Sequence, residues 1–594
     1  MKRTLIFVFL TVLLTTGLAV SEPSPSNLIA NVSARTTISL NGAWRAVVDP
    51  YESGIWYKMY ENASPATANG RVVEYDFDAS PVLNVPGDWN SQRADLLFYE
   101  GPVWYKKSFS YARRGHTRVF LHFGAANYKA VVYLNGSKLS EHQGGFTAFN
   151  FEITDKVRDG ENFVVVEVNN ARQADLVPAL ATDWWNYGGI TRDVTLLELP
   201  ETFVEDYFIQ LAKGSTSDVA GWIKLNGARQ SEQVTIEIPQ AGIKQNFTTD
   251  KDGRVEFRFP AKLKLWSPED PTLYAVSITT VTDTVRDQIG FRTIETQGTR
   301  ILLNGKAVFL RGISIHEEAP YRGGRAISQE DDRVLLTWAK ELGCNYVRLA
   351  HYPHNEAMTR LADRMGLMVW SEIPVYWDTA WTNPATLRRA EEMLRDNIAR
   401  DHNRASIVLW SIANETPISP ERTEFLKRIA TYARQLDSTR LLTAAMNRVE
   451  YSANSTRTLS DPIGQFLDVL GLNEYVGWYE GRIDDMDGIN WVNPYNKPLL
   501  ISEFGAETPY NAHGPADAKW DEEYQARVYE YQLKMLSKIP SMTGMSPWLL
   551  MDFRSPRRML PGTQDYYNRK GLISDRGQRK KAFYVLQKFY REKQ

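Results

Sequence analysis

Two glutamates that each follow a run of mainly apolar residues are the first candidates for chemistry in this sequence. Glu415 comes after the run 407–412, and Glu503 comes after 499–502. If both runs are strands of one parallel barrel, the two carboxylates lie at the same end of it. Two carboxyl groups about 5 to 5.5 Å apart, one ionised and one protonated, suit hydrolysis of a glycosidic bond with retention. The alternative is that each glutamate only pairs with an arginine at a strand end.

Other polar and aromatic residues occupy the same kind of position, just beyond an apolar run. They are His351, Glu372, Asn414, Asn473, Tyr475 and Trp548. Rings in such loops favour stacking on the faces of sugars, and the same loops also contain Trp377, Trp478 and Tyr479. Trp410 lies within a predicted strand, so packing in the core is the better interpretation of that ring.

Alternating helix and strand patterns in the second half of the chain predict a barrel that would position these side chains. Ser328 can cap a helix in which Asp331 follows three residues on and Gly343 marks the end. Further helices are predicted at 355–365, near 387–399 and from Ser419-Pro420. They alternate with strands predicted at 346–349, 367–370, 407–410, 441–445, 469–472, 499–501 and 545–550. About eight strand–helix units in about 300 residues are typical of a (β/α)8 TIM barrel.

The first half of the chain has the pattern of β-sandwiches. From about residue 37 to 200, β-rich runs at 119–123, 130–134 and 163–168 are separated by turn signals such as Asn135-Gly136. Residues 201–293 alternate more regularly, and this length suits one immunoglobulin-like sandwich. Strands without helices between them predict a sandwich in each segment.

Composition excludes several classes of protein. The 594 residues are 43% hydrophobic, 12% aromatic and 24% charged, so the chain is globular and too long for one small fold. With 69 basic against 71 acidic residues, no long-range field attracts nucleic acid or an anionic membrane surface. The single cysteine, Cys344, excludes an intramolecular disulfide and is expected to pack in a core. His351 and His354 lack a cluster of further ligands, so no metal site is predicted.

Residues 1–21 have the features of a secretory signal. Lys2 and Arg3 precede an apolar stretch, and Ala19-Val20-Ser21 has the small-x-small pattern of a cleavage site. The apolar run stops at Thr15-Thr16-Gly17, short of the ~20 residues that a membrane span needs. We therefore expect an exported protein, periplasmic or secreted, without membrane contact after cleavage.

Seven short segments resemble glycoside hydrolase family 2, nearest to its β-glucuronidase branch. They are Leu40-Asn41-Gly42-Ala43-Trp44, Gly144-Gly145-Phe146-Thr147, Leu265-Trp266-Ser267-Pro268, Gly290-Phe291-Arg292, Asn345-Tyr346-Val347-Arg348-Leu349-Ala350-His351-Tyr352-Pro353, Trp410-Ser411-Ile412-Ala413-Asn414-Glu415 and Ser502-Glu503-Phe504-Gly505. The segments are spread over nearly the whole chain after the signal. The resemblance implies a jelly-roll sugar-binding domain at 22–200, an immunoglobulin-like domain at 201–294 and a catalytic TIM barrel at 295–594.

The resemblance also implies roles for individual residues. Glu415 matches the general acid/base and Glu503 the nucleophile. Asn414 is expected to hold the sugar 2-hydroxyl, a contact that strengthens in the oxocarbenium-like transition state. Other expected substrate contacts are Asp183 from the first domain, His316, His351, Asn473, Tyr475, Tyr479 and Trp548. Glu474 stands where a basic residue is common in the family.

The segment Tyr567-Asn568-Arg569-Lys570-Gly571 determines the expected substrate. It resembles the Asn-x-Lys element by which β-glucuronidases hold the C6 carboxylate. A lysine ammonium with an amide donor is a compact carboxylate receptor, and a neutral sugar would leave that cation unpaired. Charge pattern alone favours a surface lysine in a basic stretch. The expected partner is a carbohydrate with a terminal β-linked uronic acid; β-galacturonides, β-galactosides and an inactive carbohydrate-binding protein are the alternatives.

The segment between Glu372 and the helix near Leu387 is short, whereas some enzymes of this branch carry a long loop there over the aglycone side. An open mouth predicts removal of uronic acid from the ends of oligo- or polysaccharides rather than from small conjugates. The two-carboxylate mechanism needs no cofactor. The sequence leaves open whether the chain acts alone or as a homo-oligomer.

Overall fold

The computed structural model describes residues 28–62, 75–115, 117–227, 230–452 and 455–594. The segment expected to be a signal, residues 1–21, lies outside these ranges. Two antiparallel β-sandwiches precede a closed eight-stranded barrel, which is the predicted fold class. Within the described ranges, no helix is long and apolar enough to cross a membrane.

The first sandwich packs a six-stranded sheet on a four-stranded sheet. In spatial order the larger sheet contains Val82–Val85, Gly42–Val48, Pro102–Tyr111, Gly160–Asn169, Lys129–Leu134 and Ser137–Gln143. The smaller contains Thr37–Ser39, Val194–Leu199, Arg118–Phe123 and Phe149–Glu152. The predicted Asn135-Gly136 turn joins two of these strands with φ of 51° and 83°, the left-handed conformation that a two-residue hairpin requires.

The second sandwich is smaller. Its three-stranded sheet contains Phe203–Leu211, Asp218–Asn226 and Arg254–Pro260. Its four-stranded sheet contains Ile243–Thr248, Gln233–Ile238, Tyr274–Thr279 and Thr284–Ile289. A three-stranded sheet of Ile294–Gln297, Arg300–Leu303 and Lys306–Ala307 follows and leads into the barrel.

The barrel closes through eight parallel strands. In order around the barrel they are Leu310–Ile315, Tyr346–Leu349, Met368–Glu372, Ile407–Asn414, Leu441–Met446, Leu470–Asn473, Leu499–Glu503 and Met542–Met545. The α-helices after the sandwiches are Gln329–Leu342, Glu356–Met365, Pro384–Asp401, Pro420–Leu436, Glu522–Leu536 and Lys581–Glu592. The first of these helices has the predicted capping box of Ser328 and Asp331, and Gly343 ends it at φ 94°. Cys344 is buried beside the second strand and unpaired, as expected.

The eighth strand corrects one prediction. A strand was expected at 545–550, but it spans Met542–Met545, and the chain then runs as irregular backbone along the rim. Ser546 N–H donates to the Ile501 carbonyl of strand seven, and Leu550 N–H donates to the Ser314 carbonyl of strand one. Residues 546–550 therefore bridge the closing strands instead of extending the ladder.

The remaining elements are short strands and helices in the loops of the barrel and the sandwiches. A hairpin of Val449–Ser452 and Thr456–Leu459 follows strand five and pairs with Asn490–Val492. A two-stranded ribbon of Phe553–Arg554 and Tyr567–Asn568 follows strand eight. The remaining helical elements are the α-helix Trp89–Gln92 and the 3-10 helices Val32–Ala34, Met59–Glu61, Ala94–Leu96, Pro239–Ala241, Pro462–Gln465 and Ile483–Gly488.

A buried arginine of the first sandwich fixes that domain to the barrel rim. Arg192 donates to Glu317 at 3.1 Å and to the backbone carbonyls of Phe146 and Pro353 at 2.8 and 2.7 Å. Glu317 also accepts from Arg325 at 3.2 Å, so one buried carboxylate balances two guanidinium groups. The first sandwich is thereby held where its loops can reach the mouth of the barrel.

Candidate active site

A cavity of about 610 Å³ opens at the carboxyl end of the barrel strands. Its walls come from the barrel loops and from one loop of the first sandwich. The lining residues are Asp183, His351, Tyr376, Trp377, Glu415, Asn447, Val449, Tyr451, Asn473, Glu474, Tyr475, Tyr479, Glu480, Trp491, Glu503, Trp548, Arg557, Arg558, Asn568 and Lys570. Ten of the twelve residues selected from the sequence are in this set, and the two others, His316 and Asn414, lie behind it.

Glu503 ends strand seven, and its two oxygens accept from different donors. Arg348 Nη1 donates to Oε1 at 2.8 Å, and the Tyr475 hydroxyl donates to Oε2 at 2.7 Å. The arginine is fully buried and the glutamate nearly so. A permanent cation and a hydroxyl donor both stabilise the ionised form of this carboxyl group.

Glu415 directly follows strand four and has a left-handed backbone, with φ of 50°. Trp377 donates its indole N–H to Oε2 at 3.0 Å, and Asn473 Nδ2 donates to Oε1 at 3.1 Å. Trp377 also has a positive φ, 51°. Non-glycine residues in this conformation are uncommon and concentrate at functional sites.

The two glutamates influence each other's ionisation. Burial raises the pKa of Glu503 to about 7, with the Glu415 carboxylate adding to the rise and Arg348 opposing it. Glu503 accepts from a guanidinium, whereas Glu415 accepts only from neutral donors. The two carboxyl groups are therefore held in unequal electrostatic environments.

Arg348 donates hydrogen bonds to several buried polar side chains next to the two glutamates. Besides Glu503, it donates to both oxygens of Glu372 at 3.1 and 3.2 Å and to Asn414 Oδ1 at 2.7 Å. Although burial opposes ionisation, Arg348 and His351 lower the pKa of Glu372 to about 2. Asn414 Oδ1 also accepts from Asn473, while its Nδ2 is buried without a partner among the described residues. That amide can therefore donate to a bound hydroxyl group.

Only one of the two expected histidines lines the cavity. His351 lies 2.7 Å from Glu372 through Nδ1, and burial lowers its pKa, so a neutral ring exposes Nε2 as an acceptor. Its ring stacks on Trp548 at 4.8 Å between centroids. His316 stacks on Phe553 at 4.0 Å and contacts the Tyr352 hydroxyl at 3.1 Å. His316 is not among the cavity-lining residues, and its Nε2 is buried without a partner among the described residues, so its contact with the sugar stays a prediction.

Asp183 reaches the barrel from the first sandwich. Ser555 Oγ donates to Oδ1 at 2.6 Å, Asn568 Nδ2 donates to Oδ2 at 3.2 Å, and Arg558 forms a two-pronged ion pair with both oxygens. The carboxylate is nearly buried. Its position therefore depends on residues that follow strand eight.

Lys570 has a partner that the sequence did not predict. Its Nζ donates to Glu507 Oε1 at 2.7 Å and to the Tyr479 hydroxyl at 2.7 Å. Arg558 also donates to Glu507, at 3.1 Å, and although burial opposes it, Lys570 and Arg558 lower the pKa of Glu507 to about 2. The argument that a neutral sugar would leave Lys570 unpaired is therefore wrong, because a buried carboxylate already balances it.

Sequence reasoning missed several residues that build this site. Arg348 lies within the segment 345–353, and the sequence singles out neither this arginine nor Arg558 and Glu507. Glu507 lies four residues after Glu503, in the loop that leaves strand seven, so its position was a usable signal. Arg558 lies in an Arg557-Arg558 pair that resembles ordinary surface charge.

The described residues contain no group of three or more histidine, cysteine, aspartate or glutamate side chains placed to hold a metal ion. Glu503, which accepts from a cation, and Glu415, which accepts from neutral donors, line one cavity together with aromatic rings and amides.

Three family models match consecutive parts of the chain. The glycosyl hydrolases family 2 sugar binding domain matches residues 37–200, a further glycosyl hydrolases family 2 domain matches 202–292, and the family 2 TIM barrel domain matches 294–592. Fold and site together define a glycoside hydrolase. The barrel match alone covers half of the sequence, and the chain belongs to glycosyl hydrolases family 2.

Individual relatives agree with this assignment. A β-glucuronidase from Paenibacillus borealis is 27% identical over 600 residues, which cover 92% of this chain and 95% of that protein. A longer relative from Formosa agariphila is 27% identical over 572 residues, and the chain spans 66% of its length. The solved structure of an uncultured Clostridium sp. β-glucuronidase superimposes with a TM-score of 0.81 at 27% identity, over 96% of this chain and 100% of that chain.

Proposed function

We propose that this glycoside hydrolase is a retaining, exo-acting β-glucuronidase. In the first step Glu503 attacks the anomeric carbon, while Glu415 gives its proton to the departing glycosidic oxygen. In the second step Glu415 takes a proton from water, the water oxygen attacks the same carbon, and Glu503 is released. Both steps pass through oxocarbenium-like transition states with the sugar held in one pocket.

The observation that carries this mechanism is the unequal environment of the two glutamates. Arg348 and Tyr475 donate to Glu503, and Trp377 and Asn473 donate to Glu415. Double displacement needs one ionised and one protonated carboxyl group at the same time. Asn414, whose amide nitrogen has no partner among the residues described, supports a contact with the 2-hydroxyl group.

The preference for a uronic acid rests on the cluster around Lys570. Lys570 and Arg558 both line the cavity, and Glu507 beneath them holds each cation in place. Lys570 has three N–H donors and uses two on Glu507 and Tyr479, so one is left for a C6 carboxylate. The relatives described as β-glucuronidases support the same sugar. A β-galacturonide has the same carboxylate and differs at C4, so it is the second candidate.

We further propose that the natural substrate is the end of an oligo- or polysaccharide and that the chain acts after export. Only residues 373–383 connect strand three to the next helix, and the mouth beside Trp377 carries no long covering loop among the described residues. An open mouth leaves room for further sugars beyond the bond that is cleaved. Export would bring the enzyme into contact with polysaccharides outside the cytoplasm.

Initial rates on matched aryl β-D-glucuronide, β-D-galacturonide and β-D-galactoside test the proposal. We expect hydrolysis of the glucuronide with retained anomeric configuration, and much slower hydrolysis of the galactoside. A preference for the galacturonide would keep the carboxylate receptor and change the sugar. Turnover of the galactoside alone would keep the two-glutamate mechanism and remove the uronate pocket. No turnover of any of the three, in a folded protein, would count against the proposed function.

A further inference from the structure

Arg557 differs from the other cations that line the active-site cavity. Arg558 pairs with Asp183 and Glu507, and Lys570 pairs with Glu507. In the described part of the chain, no carboxylate oxygen lies within 4.0 Å of a side-chain nitrogen of Arg557. Its side chain is exposed, and its guanidinium carbon lies 5.0 Å from the centre of the Trp377 ring. The cavity therefore offers one positive charge that no neighbouring carboxylate neutralises.

The position of this charge relates it to the leaving group. Trp377 donates its indole N–H to Glu415 Oε2, at 3.0 Å, on the carboxyl group that protonates the glycosidic oxygen in the proposed function. The part of the substrate next to that oxygen on the departing side must lie close to Glu415 and its neighbours. The stack of Arg557 on Trp377 is therefore placed to contact the first sugar of the leaving group, whereas Lys570 and Asn568 belong to the uronate side.

The same cavity also has a ring suited to a sugar face. Tyr451, on the hairpin after strand five, is 63% exposed and lines the cavity. Its hydroxyl donates to Glu480 Oε2 at 2.7 Å, and the Arg457 guanidinium lies 5.2 Å from the ring centre. A ring that is held on two sides and still exposed loses little entropy when a sugar stacks on it.

We propose that Arg557, held on Trp377, forms a subsite for an acidic sugar in the leaving group. The substrate would then carry a carboxylate or a sulfate ester on the sugar next to its terminal uronic acid. A planar guanidinium donates two parallel hydrogen bonds to either group, and stacking on a ring orders it beforehand. This inference rests on the proposed function and specifies the substrate class for the same site.

The nearby glutamates do not cancel this attraction. Glu480 is paired with Arg457 at 2.6 Å, and Glu503 is paired with Arg348 at 2.8 Å. In the proposed mechanism Glu415 carries the proton that it gives to the glycosidic oxygen, so it adds no negative charge to that complex. Arg557 is therefore the positive charge at the cavity opening that remains available to bind an anionic group of the substrate.

The test uses three disaccharides with the same terminal β-glucuronosyl group. The leaving hexose is neutral, carries a 6-sulfate, or is a hexuronate, and an aryl β-glucuronide is added as a fourth substrate. Values of kcat/KM are measured for the wild type, Arg557→Ala, Arg557→Lys and Arg428→Ala. Arg428 is an exposed arginine in the middle of the helix Pro420–Leu436, remote from the cavity lining, so it controls for the loss of one surface charge.

In the wild type we expect about tenfold higher kcat/KM for an anionic leaving hexose than for the neutral one, the size of one charge-assisted contact. Arg557→Ala should abolish that ratio, Arg557→Lys should keep part of it, and Arg428→Ala should leave it unchanged. Each variant's rate on the aryl glucuronide, which lacks the acidic sugar, is the reference to which its disaccharide rates are normalised. The ratio of kcat/KM to that of the neutral disaccharide is compared for the sulfated and the hexuronate substrates. The larger of the two ratios identifies sulfate or carboxylate as the natural group.

Two results would overturn the inference, and they are distinguishable. Normal hydrolysis of the aryl glucuronide with the same disaccharide ratio in Arg557→Ala and wild type would remove the subsite and leave the proposed function intact. A folded wild-type enzyme that hydrolyses none of the four glucuronides would overturn the proposed function and the subsite together.

Discussion

Arg348 lies 2.8 Å from Glu503 Oε1 and, through the same buried guanidinium, 2.7 Å from Asn414 Oδ1. The cation thus links the proposed nucleophile to the amide that we propose contacts the sugar 2-hydroxyl. Because a guanidinium does not lose its proton in proteins, Glu503 keeps a charged donor at every working pH. The assignment of Glu503 as nucleophile therefore rests on a residue from strand two as well as on the two glutamates.

Replacing Glu503 by glutamine should remove turnover and preserve the fold. The amide is nearly the same size, but it cannot form the covalent glycosyl-enzyme, so we expect kcat to fall by about 10³-fold or more. Steady-state rates and thermal unfolding curves, compared with those of the wild type, check both parts. Substantial remaining activity would exclude Glu503 as the nucleophile.

The pH profile of kcat/KM should have an acidic limb near pH 7. Burial raises the pKa of Glu503 to about 7, with the Glu415 charge adding to the rise. In the proposed mechanism Glu503 attacks the sugar only as a carboxylate, so the rate should fall as pH drops through this value. Initial rates measured across this pH range check the profile, and an acidic limb well below pH 7 would contradict the raised pKa.

Glu415→Gln tests the influence of the Glu415 charge on Glu503. With an aryl glucuronide whose phenolate leaves without protonation, the acidic limb should move to lower pH, because the variant lacks the carboxylate that adds to the raised pKa of Glu503. The same substrate with wild-type enzyme serves as the control. An acidic limb at the same pH in both proteins would show that the Glu415 charge does not act on Glu503.

Removing Lys570 should abolish the preference for uronides. In Lys570→Ala we expect the ratio of kcat/KM for aryl glucuronide to that for aryl galactoside to fall by the equivalent of about 2 to 5 kcal/mol. The single variant leaves Glu507 buried without its lysine, so Lys570→Ala/Glu507→Gln is the matched control for folding. A folded double variant with an unchanged ratio would show that Lys570 does not recognise the sugar carboxylate.

Glu474 should make the protein less stable as the pH rises from about 5 to 8. Burial raises its pKa in the folded protein to about 8, whereas the ordinary value is 4.5. A raised folded pKa gives stability that is complete below the unfolded pKa and is lost as pH rises through the folded one. Glu474→Gln does not titrate, so its Tm relative to that of the wild type should increase across this interval. A difference in Tm that is constant with pH would contradict the buried, protonated state.

Glu474 binds the backbone just beyond strand six. Its Oε2 accepts from the Val476 N–H at 3.0 Å and from Gln532 Nε2, on the helix Glu522–Leu536, at 3.4 Å. Burial favours the neutral form of this side chain, which packs at a position where the family resemblance leads us to expect a basic residue.

The barrel and the two glutamates could be predicted because their signals are local. The caps of the helix Gln329–Leu342 and the apolar strand runs each involve residues close together in the chain. Parallel strands then bring their carboxyl ends to one rim, which places Glu415 and Glu503 in one cavity without further information.

The ion pairs of the site could not be predicted in the same way. Glu507 and Lys570 leave different strands, and nothing in either segment specifies the other as its partner. For the same reason, spacing along the chain does not reveal that His316 packs against Tyr352 and Phe553. Placement of side chains within one rim depends on packing between loops, which spacing along the chain does not encode.

Asp183 forms hydrogen bonds with Ser555, Arg558 and Asn568, so the first sandwich and the barrel share one cluster of side chains. This cluster determines whether the two domains can be separated. A barrel expressed alone would lose the Asp183 carboxylate, and Arg558 and Lys570 would then share Glu507 as their carboxylate partner among the described residues. Exchanging the first sandwich with that of another family member would be tolerated only if the loop around Asp183 came with it. The first sandwich and the barrel are therefore expected to be inherited together. Recombination between the two domains would separate side chains that build one site.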